Sequence, residues 1–281
     1  MPEGDAIFRA ARTLHRALAG KEVTAFESVL PSVNRVNDDT PIVRRTIDRV
    51  HSRGKHLLMH FSGDLVLRTH MRMNGSWHIY RPGERWRRSR RDMRIVIATA
   101  DFEAVGFNIP EAEFMPESEV ARSAALRTLG PDVLTDDFDA NKVIANLRER
   151  PDSPIAEALL NQHVLAGLGN IYKSEILFMC RINPLARVQE LTAANVRSLV
   201  EESRRVLKLN VSEGRELMTT YGGLRGTTGR SDRTNRLWVY GRAGLPCRRC
   251  GTAIQMRKQG RDARSTYWCP QCQPAIPAGG F

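Results

Sequence analysis

Apolar residues change their period along this chain, and the changes divide it. Ile7, Ala11, Leu14 and Leu18 recur at helical spacing and Gly20 supplies a stop, which predicts an amphipathic helix over residues 5–19. From Lys21 to Phe107 short runs rich in Val, Ile, Leu and aromatics take over, at 23–26, 46–51, 56–61, 65–69, 77–80, 94–99 and 104–107. Gly54, Ser62-Gly63-Asp64, Asn74-Gly75 and Pro82-Gly83 separate them, so an antiparallel sandwich or barrel is expected. Residues 116–136 hold Pro116, Gly130 and Pro131 with little periodicity and read as a linker. Helical patterns return at 137–149, 154–162, 171–180 and 192–209, with Ser153-Pro154 and Thr192 as expected helix starts. The pattern therefore gives an α+β chain of several domains: a β-rich domain over 1–115 opened by a helix, the linker 116–136, a helical domain over 137–225 and a C-terminal segment over 226–281.

Charge narrows the partners. Forty-three Lys and Arg against thirty-one Asp and Glu leave a net charge of +12, which favours a polyanion over a small neutral ligand. No apolar run reaches the roughly 18 residues a membrane span requires, and the first twenty residues carry charges where a signal peptide would be apolar, so a cytoplasmic protein is expected. Residues 81–91 hold six arginines and one glutamate, and read either as a solvated loop or as a phosphate-contacting one.

Three stretches carry candidate chemistry. Removal of Met1, which a small second residue permits, would leave Pro2 as a free secondary amine. An α-amino group titrates near about 8 and a lysine near about 10.4, so the terminal amine is the better nucleophile at neutral pH, with Glu3 beside it to move a proton. Cys247-Arg-Arg-Cys250 and Cys269-Pro-Gln-Cys272 lie eighteen residues apart, the spacing of a four-cysteine zinc ribbon (240–275) with no open coordination position, hence one structural Zn²⁺ per chain. Cys180, in an apolar helical run, reads as a core thiol. Residues 225–264 hold eleven Lys or Arg and two acids, with Trp238, Tyr240, Tyr267 and Trp268 in or just beyond them, which suits duplex binding. In the run from Asn161 to Glu175, Gly167 and Gly169 allow a tight turn and Asn170 stands at the next helix start as an N-cap; a plain helical hairpin and an anion-binding one fit equally.

The order of these pieces, Pro-Glu at the start, a β-rich domain, Gln-x-x-x-x-Gly-x-Gly-Asn-Ile-Tyr and a ribbon ending Tyr-Trp-Cys-Pro-x-Cys-Gln, resembles the formamidopyrimidine-DNA glycosylase/endonuclease VIII family over nearly the whole chain. The resemblance implies an N-terminal β-sandwich, a helix–two-turn–helix domain and a zinc ribbon. It also implies a monomeric glycosylase/AP lyase of base excision repair, acting on double-stranded DNA with oxidised bases or abasic sites and cutting the strand by β,δ-elimination. By that resemblance Pro2 attacks C1′ of a flipped nucleotide as the Schiff-base nucleophile, Glu3 is the proton donor that opens the sugar, and Lys55 contacts the phosphate beside the lesion and assists β-elimination. Asn170 and Arg264 bind DNA, and Met73 fills the hole left by the flipped base.

Two departures qualify it. The family's second N-terminal carboxylate has no match at Ala6, with Asp5 as a partial substitute, and Glu103-Ala104-Val105-Gly106-Phe107 stands where an Arg-Arg-Phe-Gly loop reads the opposite base in the formamidopyrimidine branch. Pro-Glu-Gly and Tyr-Trp-Cys are closer to the endonuclease VIII branch, which favours oxidised pyrimidines. The other reading, supported by Ala6, is a catalytically silent zinc-ribbon protein that recognises lesions. For the wedge, a turn at Asn74-Gly75 is expected to act as a hairpin.

Overall fold

The structure, a computed structural model, describes residues 2–212, 225–229 and 235–276. These residues form two compact units that meet in sequence between Thr128 and Leu129. No helix among the described residues is long and apolar enough to cross a membrane.

The first unit opens with α1 (Gly4–Leu18), which buries Ile7, Ala10, Ala11, Leu14 and Leu18 along one stripe. Asp5 in its first turn and Arg16 in its last complement the helix dipole. Two antiparallel sheets follow. One has the order β1 (Ala25–Ser28), β6 (Met93–Ala98), β7 (Glu103–Phe107), β5 (Ser76–Tyr80). The other runs β2 (Ile47–Arg53), β3 (His56–Phe61), β4 (Leu65–His70), β8 (Glu111–Met115). One core joins them: Leu57, Met59, Phe61 and Leu67 from the second sheet meet Trp77, Ile79, Ile95 and Ile97 from the first, with the apolar stripe of α1. Strand alternation sends His56, His60, Arg68 and His70 to the opposite face of the second sheet. A nine-residue helix, α2 (Pro31–Asp39), lies between β1 and β2 and went unread in the sequence, because Asn and Asp make up four of its nine positions and only Val33 is buried.

Neighbouring strands do not always pair. β4 and β5 follow one another in the chain but belong to different sheets, so residues 71–75 cross between layers and the hairpin expected at Asn74-Gly75 does not form. Gly75 is there for another reason: its N–H donates to Met71 O at 2.8 Å, and a Cβ would stand 2.5 Å from that oxygen. Within the segment read as a linker, residues 117–120 and 124–127 form two one-turn helices, α3 (Glu117–Val120) and α4 (Ala124–Arg127).

The second unit packs α5 (Ala140–Arg148), α6 (Ile155–Leu160), α7 (Asn170–Met179) and α8 (Ala193–Val211) with a two-stranded ribbon, β9 (Gln255–Gln259) and β10 (Arg264–Trp268). Thr192 caps α8 as expected, its hydroxyl accepting from Asn195 N at 3.1 Å. Two other starts differ from expectation. Pro154, not Ser153, is the cap residue of α6, and Gly169, not Asn170, is the cap of α7, which leaves Asn170 as its first helical residue with its side chain available for other contacts.

Candidate active site and nucleic-acid interface

At the start of α1, Glu3 occupies the cap position in extended backbone (φ −115°, ψ 179°), and its carbonyl accepts from Ala6 N at 2.9 Å and Ile7 N at 3.1 Å. These are the first bonds of the helix itself, and the Glu3 carboxylate makes no cap hydrogen bond. Pro2, Glu3 and Asp5 are all buried at this helix end. Asp5, the partial substitute for the missing acid, is already engaged: its carboxylate accepts from Arg9 Nη2 at 3.0 Å, one helical turn on.

Lys55 sits at the tip of the β2–β3 hairpin, in a two-residue turn closed by the Arg53–His56 pair, and Gly54 takes the positive φ (59°) that such a turn requires at its first position. Met73 lies on the crossing between the sheets and is 54% exposed, the most exposed large apolar side chain among the described residues. Arg72 on one side of it pairs with Glu111 of β8 and donates its N–H to His70 Nδ1 at 3.1 Å. That tether fixes the crossing and leaves Met73 projecting. Residues 103–107, aligned with the opposite-base loop, are instead the strand β7, with Ala104, Val105 and Phe107 wholly buried. The turn after it, 108–110, buries Ile109 and contains no arginine.

The arginine loop 81–91 is anchored rather than loose. Trp86 packs with Tyr80 and Phe107 and donates Nε1 to Glu103 Oε2 at 3.2 Å, while Arg87 N donates to Tyr80 Oη at 3.1 Å. Arg90 lies over the Trp86 ring and binds Glu27. Arg88 Nη1 reaches Asn74 O at 3.4 Å, which places this loop beside the crossing that carries Met73.

In the second unit, Asn170 begins α7 and Arg264 begins β10, and the two elements pack together. Two buried charged residues that the sequence reading did not single out make the junction. Lys173 Nζ donates to Asn170 Oδ1 at 2.8 Å and Thr266 Oγ1 at 2.7 Å. Glu175 accepts from the N–H groups of Trp238, Val239 and Tyr240 at 2.8, 2.9 and 2.8 Å and from the Thr227 hydroxyl. Burial pushes its carboxyl up, and those four donors oppose the shift. A lysine and a glutamate inside an apolar helical run were the available signal.

The four ribbon cysteines come together with their sulfurs all within 4.8 Å, including 3.9 Å for Cys247–Cys272 and 3.4 Å for Cys250–Cys269. A tetrahedral zinc with Zn–S near about 2.3 Å has sulfurs about 3.8 Å apart, so the set fits the ion. Arg249 N and Cys272 N point at the Cys247 and Cys269 sulfurs at 3.4 Å each, as amides do towards thiolates. The inner cysteines pack with Phe178 of α7, Val239 and Ile254, so the ribbon core continues into the helix. Cys180 stays apart from this cluster and, at the C-terminal cap of α7, is half-buried rather than in the core as expected; burial pushes its thiol up to about 11.

Comparison with known proteins agrees with this geometry. Residues 1–110 match the formamidopyrimidine-DNA glycosylase N-terminal domain, 129–221 its H2TH domain, and 244–275 the zinc finger found in FPG and IleRS. The chain is 40% identical to "Probable endonuclease 8 2" of Streptomyces coelicolor, covering 100% of this chain and 97% of that protein. It is 38% identical to the DNA-(apurinic or apyrimidinic site) lyase Nei2 of Mycolicibacterium smegmatis, over 98% and 100%. The fold superimposes on Lactococcus lactis Fpg in complex with abasic-site DNA with a TM-score of 0.81, at 25% identity over 97% of this chain and 100% of that one. With its N-terminal, helical and zinc-finger parts matched in order and its relatives aligned from end to end, the chain belongs to the formamidopyrimidine-DNA glycosylase/endonuclease VIII family.

Proposed function

We propose that this protein is a bifunctional DNA glycosylase/AP lyase of base excision repair that removes oxidised bases, pyrimidines in preference, and then cuts the strand. The observation that carries the reading is the start of α1, where Pro2 and Glu3 are buried side by side at a helix end that the Glu3 carboxylate does not cap. Once Met1 is removed, the Pro2 amine attacks C1′ of the flipped nucleotide while Glu3 delivers a proton to the sugar ring oxygen. The base leaves, an iminium joins Pro2 to C1′, and loss of a C2′ proton expels the 3′ phosphate; a second elimination expels the 5′ phosphate. Lys55, on its tight turn, is the phosphate contact beside the lesion and assists the first elimination. Asn170 and Arg264 hold phosphates from the second unit, and Met73 occupies the vacated stack.

The zinc, one per chain, takes no part in these steps and holds the ribbon that presents Arg264. Preference for pyrimidines is supported by the higher identity to endonuclease 8 relatives and by the absence of an arginine from 103–110 to read the opposite base. Domain roles follow the same lines: 1–115 carries the chemistry, 137–225 and the ribbon grip DNA.

The test is incision of matched duplexes carrying one thymine glycol, 8-oxoguanine or abasic site. Cleavage of the abasic and thymine glycol strands, with 8-oxoguanine slower, is the expected result. Tight binding to all three with no incision would establish the silent lesion-binding alternative instead.

A further inference from the structure

Lys173 is wholly buried, and its ammonium is gripped from two elements. Nζ donates to Asn170 Oδ1 on its own helix at 2.8 Å, and to Thr266 Oγ1 at 2.7 Å and Ser265 O at 3.3 Å on β10. A buried ammonium is costly to desolvate, and an apolar side chain of similar length would fill the same space without that cost. Packing alone therefore does not account for a lysine here.

Its effect on Asn170 follows from hydrogen-bond chemistry. An ammonium has donors and no acceptor, so the Asn170 atom that faces it must be the oxygen, and the amide orientation is fixed. The Nδ2 group is left as the other end of the amide. Among the described residues it donates to no partner, and it is not one of the buried polar atoms left without one. An outside acceptor can therefore meet it. It stands in the first turn of the ten-residue helix α7, where the dipole already favours an anion, and the Lys173 charge behind it adds to that field.

The same ammonium also reaches the ribbon. Thr266 and Arg264 are two residues apart on β10, so their side chains leave the strand on the same face. Tyr267 N donates to Ser174 Oγ at 3.3 Å beside this contact, which closes the junction further. A hold on Thr266 is thus a hold on the strand that starts with Arg264.

We propose that Lys173 is a positioning residue for DNA binding: it turns the Asn170 amide N–H outward towards a backbone phosphate and fastens it to the strand that carries Arg264. The proposal rests on Asn170 and Arg264 being phosphate ligands. It requires no contact between Lys173 and DNA.

The experiment is a double-mutant cycle on the zinc-loaded full chain, read as Kd for a duplex with a tetrahydrofuran abasic analogue. Lys173→Met should weaken binding about tenfold, the loss expected when a charge-assisted hydrogen bond that orients a ligand is removed. In an Asn170→Ala background the same change should cost clearly less, about threefold, because the amide it orients is gone and only the hold on the strand that carries Arg264 remains. Single-turnover cleavage at saturating abasic duplex should stay within about twofold of wild type, a split between binding and chemistry that general unfolding would not give. Thr266→Val, which removes one acceptor and keeps the shape, should weaken binding in the same direction, and it carries the test if Lys173→Met fails to bind zinc or melt cooperatively.

An equal loss in both backgrounds would make Lys173 a structural tie and overturn the proposal, as would no loss from either Lys173→Met or Thr266→Val. If Asn170→Ala alone binds normally, the phosphate role of Asn170 falls and the proposal with it. If Asn170→Ala is weak while Lys173→Met is normal, only the proposal fails.

Discussion

Asp5, wholly buried in the first turn of α1, accepts a hydrogen bond from Arg9 Nη2 at 3.0 Å, one turn along the same helix. The chain thus keeps an acid next to Pro2 and Glu3 where Ala6 offers none, but sets a guanidinium against it. Removing one partner of a buried ion pair costs up to about 3–5 kcal/mol, whereas replacing both with apolar groups costs far less. Arg9→Met should accordingly lower unfolding free energy by about that amount in urea titrations, and adding Asp5→Leu should restore more than half. A loss below about 1 kcal/mol for Arg9→Met would show that water screens the pair.

Acid should destabilise the first unit early. Burial, followed by neighbouring positive charge, lowers His56 from an ordinary 6.5 to about 3 and His78 to about 4. Burial and the neighbouring His60 lower His51 to about 4. Arg68 Nη1 stands 2.9 Å from His56 Nδ1, an arrangement in which the histidine must be the acceptor and therefore neutral. With folded values below the unfolded one, the unfolded chain binds more protons, so stability rises with pH through this range. It is complete above about pH 6.5 and declines as pH falls towards 4. Melting temperature measured from pH 7.5 to 4.5 should drop progressively below 6.5; a flat profile down to pH 5 would contradict neutral burial of these rings.

How much was legible depends on whether the determining contact was local. The cysteine pairs, the Thr192 cap and the Gly54-Lys55 turn each act within a few residues of chain, and they were readable. Asn74-Gly75 carries the same dipeptide signal as a hairpin, yet β4 pairs with β8 and β5 with β7, and no residue near 74 encodes those partners. The strand β8 was missed because Glu111, Ala112 and Glu113 lack the apolar run of the other strands; Glu113 is there to bind Arg68, 45 residues earlier. Lys173 and Glu175 were passed over for the same reason. Their partners lie 93 and 63 residues along the chain, at Thr266 and Trp238.

Zinc should be a folding ligand for the second unit's ribbon and not a reactant. Cys247 and Cys269 share a cluster with Phe178, so stripping the metal should loosen α7 as well as the hairpin. Cys250→Ser, or a strong chelator, should cut affinity for abasic duplex at least tenfold and remove one zinc per chain by elemental analysis. Metal-free protein that bound the duplex normally would show that the ribbon is not a DNA-binding element.

The most direct measurement is borohydride reduction of the protein mixed with abasic duplex, followed by peptide mass mapping of the covalent complex. Only an amine that forms an iminium with C1′ is trapped, so the expected product is a one-to-one adduct on a peptide that begins at Pro2 and lacks Met1. Glu3→Gln should lose base removal while still giving this adduct at preformed abasic sites, since opening of the intact sugar is the step that most needs an acid. Attachment at a lysine, or no adduct from protein that cleaves the duplex, would remove Pro2 from the chemistry.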